Sequence, residues 1–123
     1  MHLGAFSISL NVKDLAKSAA FYEALGFEAF HGTANDGWMM LRMGDTVLGL
    51  FGGFIEKNTL TFNPGWDQQA SNVDSFTDVR DIQRTLKEQG VALAMEADES
   101  TTGPASIMLA DPDGNQILID QHR

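Results

Sequence analysis

Few side chains in this sequence could carry out acid–base or metal chemistry. The chain has no cysteine, which excludes disulfides, thiolate metal sites and a cysteine nucleophile. Of its three histidines, His2 and His122 lie at the chain ends, where we expect fraying, and His31 lies near the end of a predicted strand. Asp120 is the best candidate for a general base or for the counter-ion of a cationic ligand. No Ser-His-Asp set, phosphate loop or paired-carboxylate motif is found.

Five predicted strands carry hydroxyl, amide, charged and apolar side chains that could line one small-molecule pocket. The candidate ligand-binding residues on these strands are Ser7, Ser9, Asn11, Trp38, Arg42, Leu48, Thr59, Thr61, Asn63, Gln116, Leu118 and Asp120. Arg42 is either a solvated surface cation or an anchor for an anionic ligand group. Asn11 and Asn63 either bond nearby backbone at the ends of their strands or contact the ligand.

The first half of the chain predicts a strand, a helix and three further strands. Residues 6–12 alternate strictly between apolar and polar side chains, as in a half-buried strand. Asp14 suits the N-cap of a helix, and Gly26 suits its end. The expected inner stripe of this helix is Leu15, Ala19, Tyr22 and Leu25. The three strands that follow are expected at 27–32, 37–43 and 45–51.

The second half repeats this plan. Residues 58–63 alternate, Asp78 suits a helix N-cap, and Gly90 lies 12 positions later, the same spacing as from Asp14 to Gly26. The expected inner stripe is Val79, Ile82 and Leu86, and further strands are expected at 91–96, 104–110 and 115–120. We therefore predict an α+β fold of two pseudo-symmetric βαβββ units whose curved mixed sheet surrounds a cleft. The single domain, 1–123, divides into unit one (about 4–52), a connector (53–57) and unit two (about 58–121).

Two connections between the predicted elements differ in kind. The turn Asp111-Pro112-Asp113-Gly114 has proline at its first central position and glycine where a positive φ is needed, so its role is structural. The segment 64–77 is a long loop that contains Trp66. Such a loop is either functional, with Trp66 in the binding site, or a surface excursion with Trp66 pinned against the protein.

The charge distribution limits the class of partner. The net charge is −9, and residues 63–123 hold four Lys/Arg against eleven Asp/Glu. This balance argues against nucleic acid as a partner and favours a cationic small ligand, although acidity alone also keeps a protein in solution. No apolar run approaches the length of a membrane span, and the first residues do not resemble a signal peptide. We therefore expect a cytoplasmic protein.

Two motifs resemble a known superfamily. The opening residues 11–15, 18–22 and 25–27, and the closing turn followed by an apolar strand, are similar to those of the vicinal oxygen chelate superfamily. It includes glyoxalase I, extradiol dioxygenases, fosfomycin-resistance enzymes and bleomycin-resistance proteins. The resemblance covers nearly the whole chain, because the paired βαβββ plan also matches. It implies the two-unit fold and a homodimer, in which the connector 53–57 could act as a hinge for exchange of units.

The resemblance also implies positions for metal ligands. Metal-dependent members hold a divalent metal by His or Gln on the first strand and Glu on the last strand of each unit. By position, the four slots here are Ser7, Leu48, Thr59 and Leu118, with Ser71 as an alternative to Thr59. Leucine cannot coordinate a metal, and a neutral hydroxyl is a poor ligand for a transition metal. Asp120 or His31 could serve only in a displaced site.

These observations favour a small-molecule-binding protein of this superfamily that uses no metal or other cofactor. The alternative is a metal-dependent enzyme, glyoxalase-like or dioxygenase-like, with a displaced site. A structural or regulatory partner domain is the third hypothesis. We expect no metal ligands, and we expect binding through the strand residues above together with Trp66.

Overall fold

The computed structural model describes all residues from Met1 to Arg123. The α+β fold predicted from the sequence is confirmed, with seven strands and two α-helices. The elements are β1 (Ala5–Asn11), α1 (Leu15–Ala24), β2 (Glu28–Thr33), β3 (Trp38–Met43), β4 (Thr46–Phe51), β5 (Thr59–Asn63), α2 (Val79–Glu88), β6 (Ala105–Ala110) and β7 (Gln116–Gln121). The chain forms two compact units, which we call the N-terminal unit (Ser7–Thr59) and the C-terminal unit (Met1–Phe6 with Leu60–Arg123).

The N-terminal unit contains α1 and four strands in the order β2-β3-β4-β1. β1 and β4 run parallel, whereas the β2–β3 and β3–β4 pairs are antiparallel. A short 3₁₀ turn at Ala34–Asp36 joins β2 to β3. The helix packs on one sheet face through a core of Leu15, Ala19, Phe27, Met39, Leu41 and Leu50.

The C-terminal unit contains α2 and strands in the order β5-β7-β6, with β6 and β7 antiparallel. Its core is formed by Val79, Ile82, Ile107, Leu109 and Ile119. Ile107 pairs directly with Ile119, and Leu109 with Ile117, so these four side chains share the face that packs on α2. In each unit we call the opposite face of the sheet, turned away from the helix, the distal face.

Both helices begin where the sequence predicts. Asp14 accepts a hydrogen bond from the backbone N–H of Lys17, and Asp78 accepts one from the backbone N–H of Arg80. One member of the predicted inner stripe of α1 was wrong. Leu25 is the C-cap residue, one position past the last helical residue Ala24, and it is 58% exposed.

The strand predicted at 91–96 is also wrong. Val91 and Leu93 pack against the C-terminal core, but only an isolated bridge between Met95 and Met108 joins this segment to β6. The backbone N–H groups of Ala94 and Met95 both donate to the carbonyl of Met108. Because two donors share one acceptor, no regular ladder forms, and the unit keeps three strands.

The turn before β7 has the structural role that its sequence predicts. Asp111 Oδ1 accepts from the backbone N–H groups of Asp113 and Asn115, and Asp111 Oδ2 accepts from the Asn115 side-chain amide. Gly114 has φ +87°, which favours glycine. These bonds, strongest from Asn115, hold the pKa of Asp111 below its usual value.

Neither helix is long and apolar enough to cross a bilayer.

Candidate functional site

The two faces of β7 separate core residues from candidate site residues. Ile117 and Ile119 face α2, and Gln121 continues this series as a buried residue that is 2% exposed. Gln116, Leu118 and Asp120 therefore lie on the distal face, since alternate residues of a strand point to opposite faces. This placement agrees with the face predicted for them from the sequence.

Gln121 determines which residues of β7 face α2 and which lie on the distal face. Its Oε1 accepts a 2.7 Å hydrogen bond from the backbone N–H of Val79, the first residue of α2. Its Nε2 donates to Asp78 Oδ2 at 3.0 Å and to the carbonyls of Gly103 and Arg123. A shift of β7 by one residue would bury Asp120 in place of Gln121 and lose all four bonds. The amide thus holds Asp120 on the distal face.

A buried arginine completes this network. Arg80 is 5% exposed, and its guanidinium donates to both oxygens of Asp78 and also to Thr101 and the carbonyl of Gly103. Partial burial raises the pKa of Asp78, but the hydrogen bonds from Gln121 and Arg80 outweigh it and hold that pKa below its usual 3.8. Asp78 is therefore an ionised cap that joins the start of α2 to the end of β7.

Three side chains meet at the end of β7, and we call Trp66, Asp120 and His122 the terminal cluster. His122 Nε2 lies 3.1 Å from Asp120 Oδ2. The imidazole of His122 stacks on the Trp66 indole, with centroids 4.6 Å apart and planes inclined by 6°. The side chains of His122 and Asp120 remain 45% and 33% exposed, so a solute can reach both. The cluster therefore combines an imidazole, a carboxylate and an aromatic ring.

The carboxylate changes the acid–base behaviour of the imidazole. The hydrogen bond with Asp120, together with the attraction of its negative charge, raises the pKa of His122 above its usual 6.5, although partial burial opposes this effect. Because Nε2 is engaged by Asp120, Nδ1 is the nitrogen left to a ligand. The pair resembles in its chemistry a histidine oriented by a carboxylate for proton transfer.

The expectation that His122 lies in a frayed terminus is wrong. Besides the stack and the ion pair, the next residue anchors the chain end, because Arg123 Nη1 donates to the carbonyls of Gly65 and Val73. The guanidinium of Arg123 also lies over the Phe76 ring, 4.6 Å from its centroid. A reading of the sequence could have found His122 by continuing the even-numbered series of β7 beyond Asp120.

The long loop 64–77 is held against its own unit. Trp66 Nε1 donates to Asn72 Oδ1 at 3.0 Å, and the two residues also form a backbone bridge. The Gln68 side chain bonds both the N–H and the carbonyl of Phe6, as a neighbouring strand would. Trp66 is therefore pinned in place, in line with one of the two alternatives that the sequence left open, and its position beside His122 makes it part of the candidate site.

Asn63, another predicted residue of the C-terminal unit, lies beside this cluster. β5 and β7 are neighbours, and Asn63 Nδ2 donates to the backbone carbonyl of Asp120 at 2.9 Å. Thr61 is buried and lies on the same face of β5 as Asn63. Phe62, between them, points to the opposite face and packs against the core. Asn63 thus bonds backbone, as one of its two predicted roles required, and it supports the position of Asp120.

The distal face of the N-terminal unit has a different composition. Ser7 and Ser9 are buried there, and Asn11 Nδ2 donates to the carbonyl of Glu56. The guanidinium of Arg42 lies 4.5 Å from the Phe30 ring centroid. In the same unit, the His31 ring meets Trp38 edge to face at 5.1 Å. The structure thus gathers aromatic rings and one half-buried cation on this unit.

The face predicted for Leu48 was wrong. Leu48 pairs directly with Leu41, and Leu50 with Met39, so both leucines lie on the face that packs on α1. The parallel register gives the same result, because Leu48 lies beside Ile8 rather than beside a serine. Gly49 occupies the distal face, where an added Cβ would lie 2.7 Å from the Phe51 ring. The prediction failed because it counted positions from a turn without the strand register.

The comparisons with known proteins identify the family. The profile of the Glyoxalase/Bleomycin resistance protein/Dioxygenase superfamily matches residues 4–119. The chain belongs to this superfamily. No curated protein matches its sequence. The fold of the superfamily is therefore established for the chain, while the chemistry must be argued from its own residues.

Solved structures agree with this assignment. The structure of an NAD-dependent benzaldehyde dehydrogenase from Legionella pneumophila is 21% identical, with a TM-score of 0.69 over 96% of this chain and 99% of that one. A superfamily member from Vibrio splendidus is 16% identical, with a TM-score of 0.65 over 94% and 96%. A hypothetical protein from Bacillus halodurans is 14% identical, with a TM-score of 0.63 over 99% and 94%. At these identities the likeness shows the fold alone.

The metal slots of the superfamily can now be tested against the side chains present. Of the four, Leu48 packs against the core, Leu118 offers only an aliphatic chain, and Ser7 offers a neutral hydroxyl. The Thr59 hydroxyl donates to the carbonyl of Lys57, and Thr59 begins β5 whereas the alternative Ser71 lies in the loop. No group of three His, Cys, Asp or Glu side chains could hold a metal ion. The residues at these slots do not fit a transition metal.

Proposed function

We propose that this member of the superfamily binds a small organic molecule on the distal face of its C-terminal unit, without a metal ion. The observation that carries this proposal is the terminal cluster, in which an accessible carboxylate and imidazole lie beside an indole. Few polar groups among apolar walls are typical of a small-molecule site. Leu118, two residues before Asp120 on the same face of β7, supplies the neighbouring aliphatic surface.

Charge favours a cationic ligand. Residues 63–123 carry eleven Asp/Glu and four Lys/Arg, and all four cations are held by hydrogen bonds or ion pairs within the unit. The resulting negative potential raises the local concentration of cations and lowers that of anions. Asp120 is the accessible carboxylate at the candidate site, so it is the counter-ion that we assign to the ligand.

A thermal-shift screen tests this proposal. We expect cationic aromatic compounds to raise the melting temperature more than neutral or anionic compounds of the same shape. Asp120→Asn should abolish the preference for cations, while Asp113→Asn, in the turn before β7, should keep it. If no compound class stabilises the protein and Trp66 fluorescence never responds, a structural or regulatory role replaces the binding function.

A second candidate function is catalysis, and the Asp120–His122 pair is the observation that favours it. A glyoxalase-like or dioxygenase-like reaction in this superfamily would need a displaced metal site. Metal content of protein purified without chelator or affinity tag, read alongside hemithioacetal isomerase activity, separates the two functions. Stoichiometric Ni, Zn, Fe or Mn that is lost on replacing Asp120 or His31 would overturn the metal-free proposal.

Two further expectations stay predictions. A homodimer follows from the superfamily resemblance, and light scattering of the purified chain would measure it. A cytoplasmic location is proposed from the cysteine-free composition, and fractionation of cells that produce the protein would measure it. Neither of them decides between binding and catalysis.

A further inference from the structure

The terminal cluster contains one carboxylate that two cations could use. Asp120 Oδ2 contacts His122 Nε2 at 3.1 Å, and a third of the Asp120 side chain remains exposed to a ligand. When His122 is protonated, its contact with Asp120 is an ion pair. When His122 is neutral, it is only a neutral hydrogen-bond donor, and the negative charge of Asp120 is not balanced by it. Protonation of His122 therefore decides how strongly Asp120 attracts another cation.

On this basis, and resting on the binding function proposed above, we propose that a cationic N–H group of the ligand and the proton on His122 compete for Asp120. The ligand class is an aromatic or planar cation, an amidinium or an ammonium. In the bound state its N–H groups donate to the Asp120 carboxylate, and the positive charge of the ligand beside the imidazole disfavours the imidazolium form of His122. Binding then releases one proton from His122.

The surroundings of His122 support this exchange. The groups packed against the imidazole are Asp120 from β7 and the uncharged indole of Trp66 from the loop. The neighbouring cation, Arg123, is directed to the carbonyls of Gly65 and Val73 and to the Phe76 ring. The loop carboxylate of Asp67 accepts from the backbone N–H groups of Gln69 and Ser71. Asp120 is thus the charged group in contact with His122, and its hydrogen bond raises the pKa of that imidazole.

The imidazole stack also restrains the geometry. Parallel contact with Trp66 fixes the plane of the His122 ring, and the Nε2 contact fixes its rotation within that plane. Asn72 holds the indole in turn through a 3.0 Å hydrogen bond. The imidazole therefore keeps a defined position beside Asp120, and a planar ligand cation would meet the carboxylate without reorganisation of the cluster.

Benzamidine and its neutral analogue benzamide are suitable probes, because benzamidine stays cationic across the pH range in which His122 titrates. We would measure affinity by calorimetry at several pH values, with proton release obtained from buffers of different ionisation enthalpy. Benzamidine should bind more tightly than benzamide, and its affinity should fall about tenfold per pH unit below the pKa of His122, as one released proton requires. The NMR titration of His122 should move to lower pH when benzamidine is present.

Two variants and one control complete the experiment. His122→Gln should remove the pH dependence and lower affinity at high pH by about threefold to tenfold, because the ligand keeps Asp120 but loses the imidazole beside it. Asp120→Asn should lower benzamidine affinity at every pH, by roughly tenfold to a hundredfold for the loss of a charge-assisted hydrogen bond. Asp113→Asn should behave as the unaltered protein. Circular dichroism establishes that each variant is folded.

The outcomes separate this inference from the binding function. Equal binding of benzamidine and benzamide, or cation binding with no proton release, would overturn the competition and leave the binding function standing. Binding of another class in the thermal-shift screen, with neither probe binding, would do the same. If nothing binds, both proposals fall. A preference for benzamidine whose pH dependence disappears in His122→Gln is the supporting result.

Discussion

The two units start their helices with the same residue type but hold it differently. Asp14 lies at the surface and its side chain bonds the backbone N–H of Lys17. Asp78 bonds the backbone and guanidinium of Arg80 and the side-chain amide of Gln121. The second cap thus joins α2 to β7, whereas the first stabilises only its own helix. The comparison suggests that the C-terminal unit uses its cap to position a site.

The distal faces of the two units also carry different functional side chains. In the C-terminal unit, Asp120 and His122 form an acid–base pair beside an indole. In the N-terminal unit, the cation of Arg42 lies on the Phe30 ring, and His31 meets Trp38 without a carboxylate contact. A carboxylate and an imidazole can exchange a proton. An arginine stays charged, so it can only attract an anion. We therefore assign acid–base behaviour to the C-terminal unit.

The largest effect that separates the two caps should come from removing the aspartates. Asp78→Ala leaves the guanidinium of the buried Arg80 without its carboxylate, which should cost about 3–5 kcal/mol in the free energy of unfolding. Asp14→Ala removes only a surface cap and should cost about 0.5–2 kcal/mol. Urea unfolding of both variants measures the difference. Equal losses would show that the Asp78 network adds nothing beyond capping.

Removal of the Gln121 side-chain amide, which determines which face of β7 packs on α2, should have the next largest effect on stability. Gln121→Leu leaves the N–H of Val79 without its partner and removes one of the two side-chain hydrogen bonds to Asp78 Oδ2. We expect a loss of about 1–3 kcal/mol in the free energy of unfolding. The His122 and Trp66 NMR signals should also shift, because the end of β7 is less restrained. A destabilised variant in which both signals are unchanged would separate stability from positioning of the cluster.

Truncation of the indole should have a smaller effect on stability. Trp66→Leu removes the parallel stack on His122 and the bond to Asn72, and should lower the free energy of unfolding by about 0.5–1.5 kcal/mol beyond the lost apolar area. Limited proteolysis should then cut within 64–77. Trp38→Leu, in the N-terminal unit, is the control and should leave this loop protected. Equal protection in both variants would contradict anchoring of the loop by Trp66.

The weakest of these comparisons is the dependence of stability on acid. The pKa of Asp78 is lowered in the folded protein, so its contribution is present above the unfolded value of 3.8 and is lost as pH falls through the folded value. The stability difference between the unaltered protein and Asp78→Asn should therefore shrink in acid. A difference that stays constant from neutral pH down to strong acid would show that the cap is not held ionised by folding.

The sequence predicts the repeated plan because its signals are local. Asp14 and Asp78 are caps at equal distances from Gly26 and Gly90, and both helices begin where expected. The segment 91–96 failed for a non-local reason. Gln83 on α2 bonds both the N–H and the carbonyl of Ala97, the residue directly after this segment, so the chain there pairs with a helix side chain and not with a neighbouring strand.

The candidate site was only partly predictable from the sequence. Asp120 was found because alternation places it on the face of Gln116 and Leu118. His122 was missed because a chain end gives no local sign that it is anchored. Its partner Trp66 is distant in sequence, and only the folded loop brings the two rings together. Leu48 was assigned to the wrong face because strand register depends on pairing, which counting along one strand cannot reveal.

The most direct test of this account is the NMR titration of His122 in the unaltered protein and in Asp120→Asn. We expect the pKa of His122 to lie above the usual 6.5 in the unaltered protein, because Asp120 stabilises the imidazolium. We expect this pKa to return toward 6.5 when the carboxylate is replaced by the neutral amide. A pKa that is the same in both proteins, together with ring signals typical of an unstructured terminus, would contradict the terminal cluster.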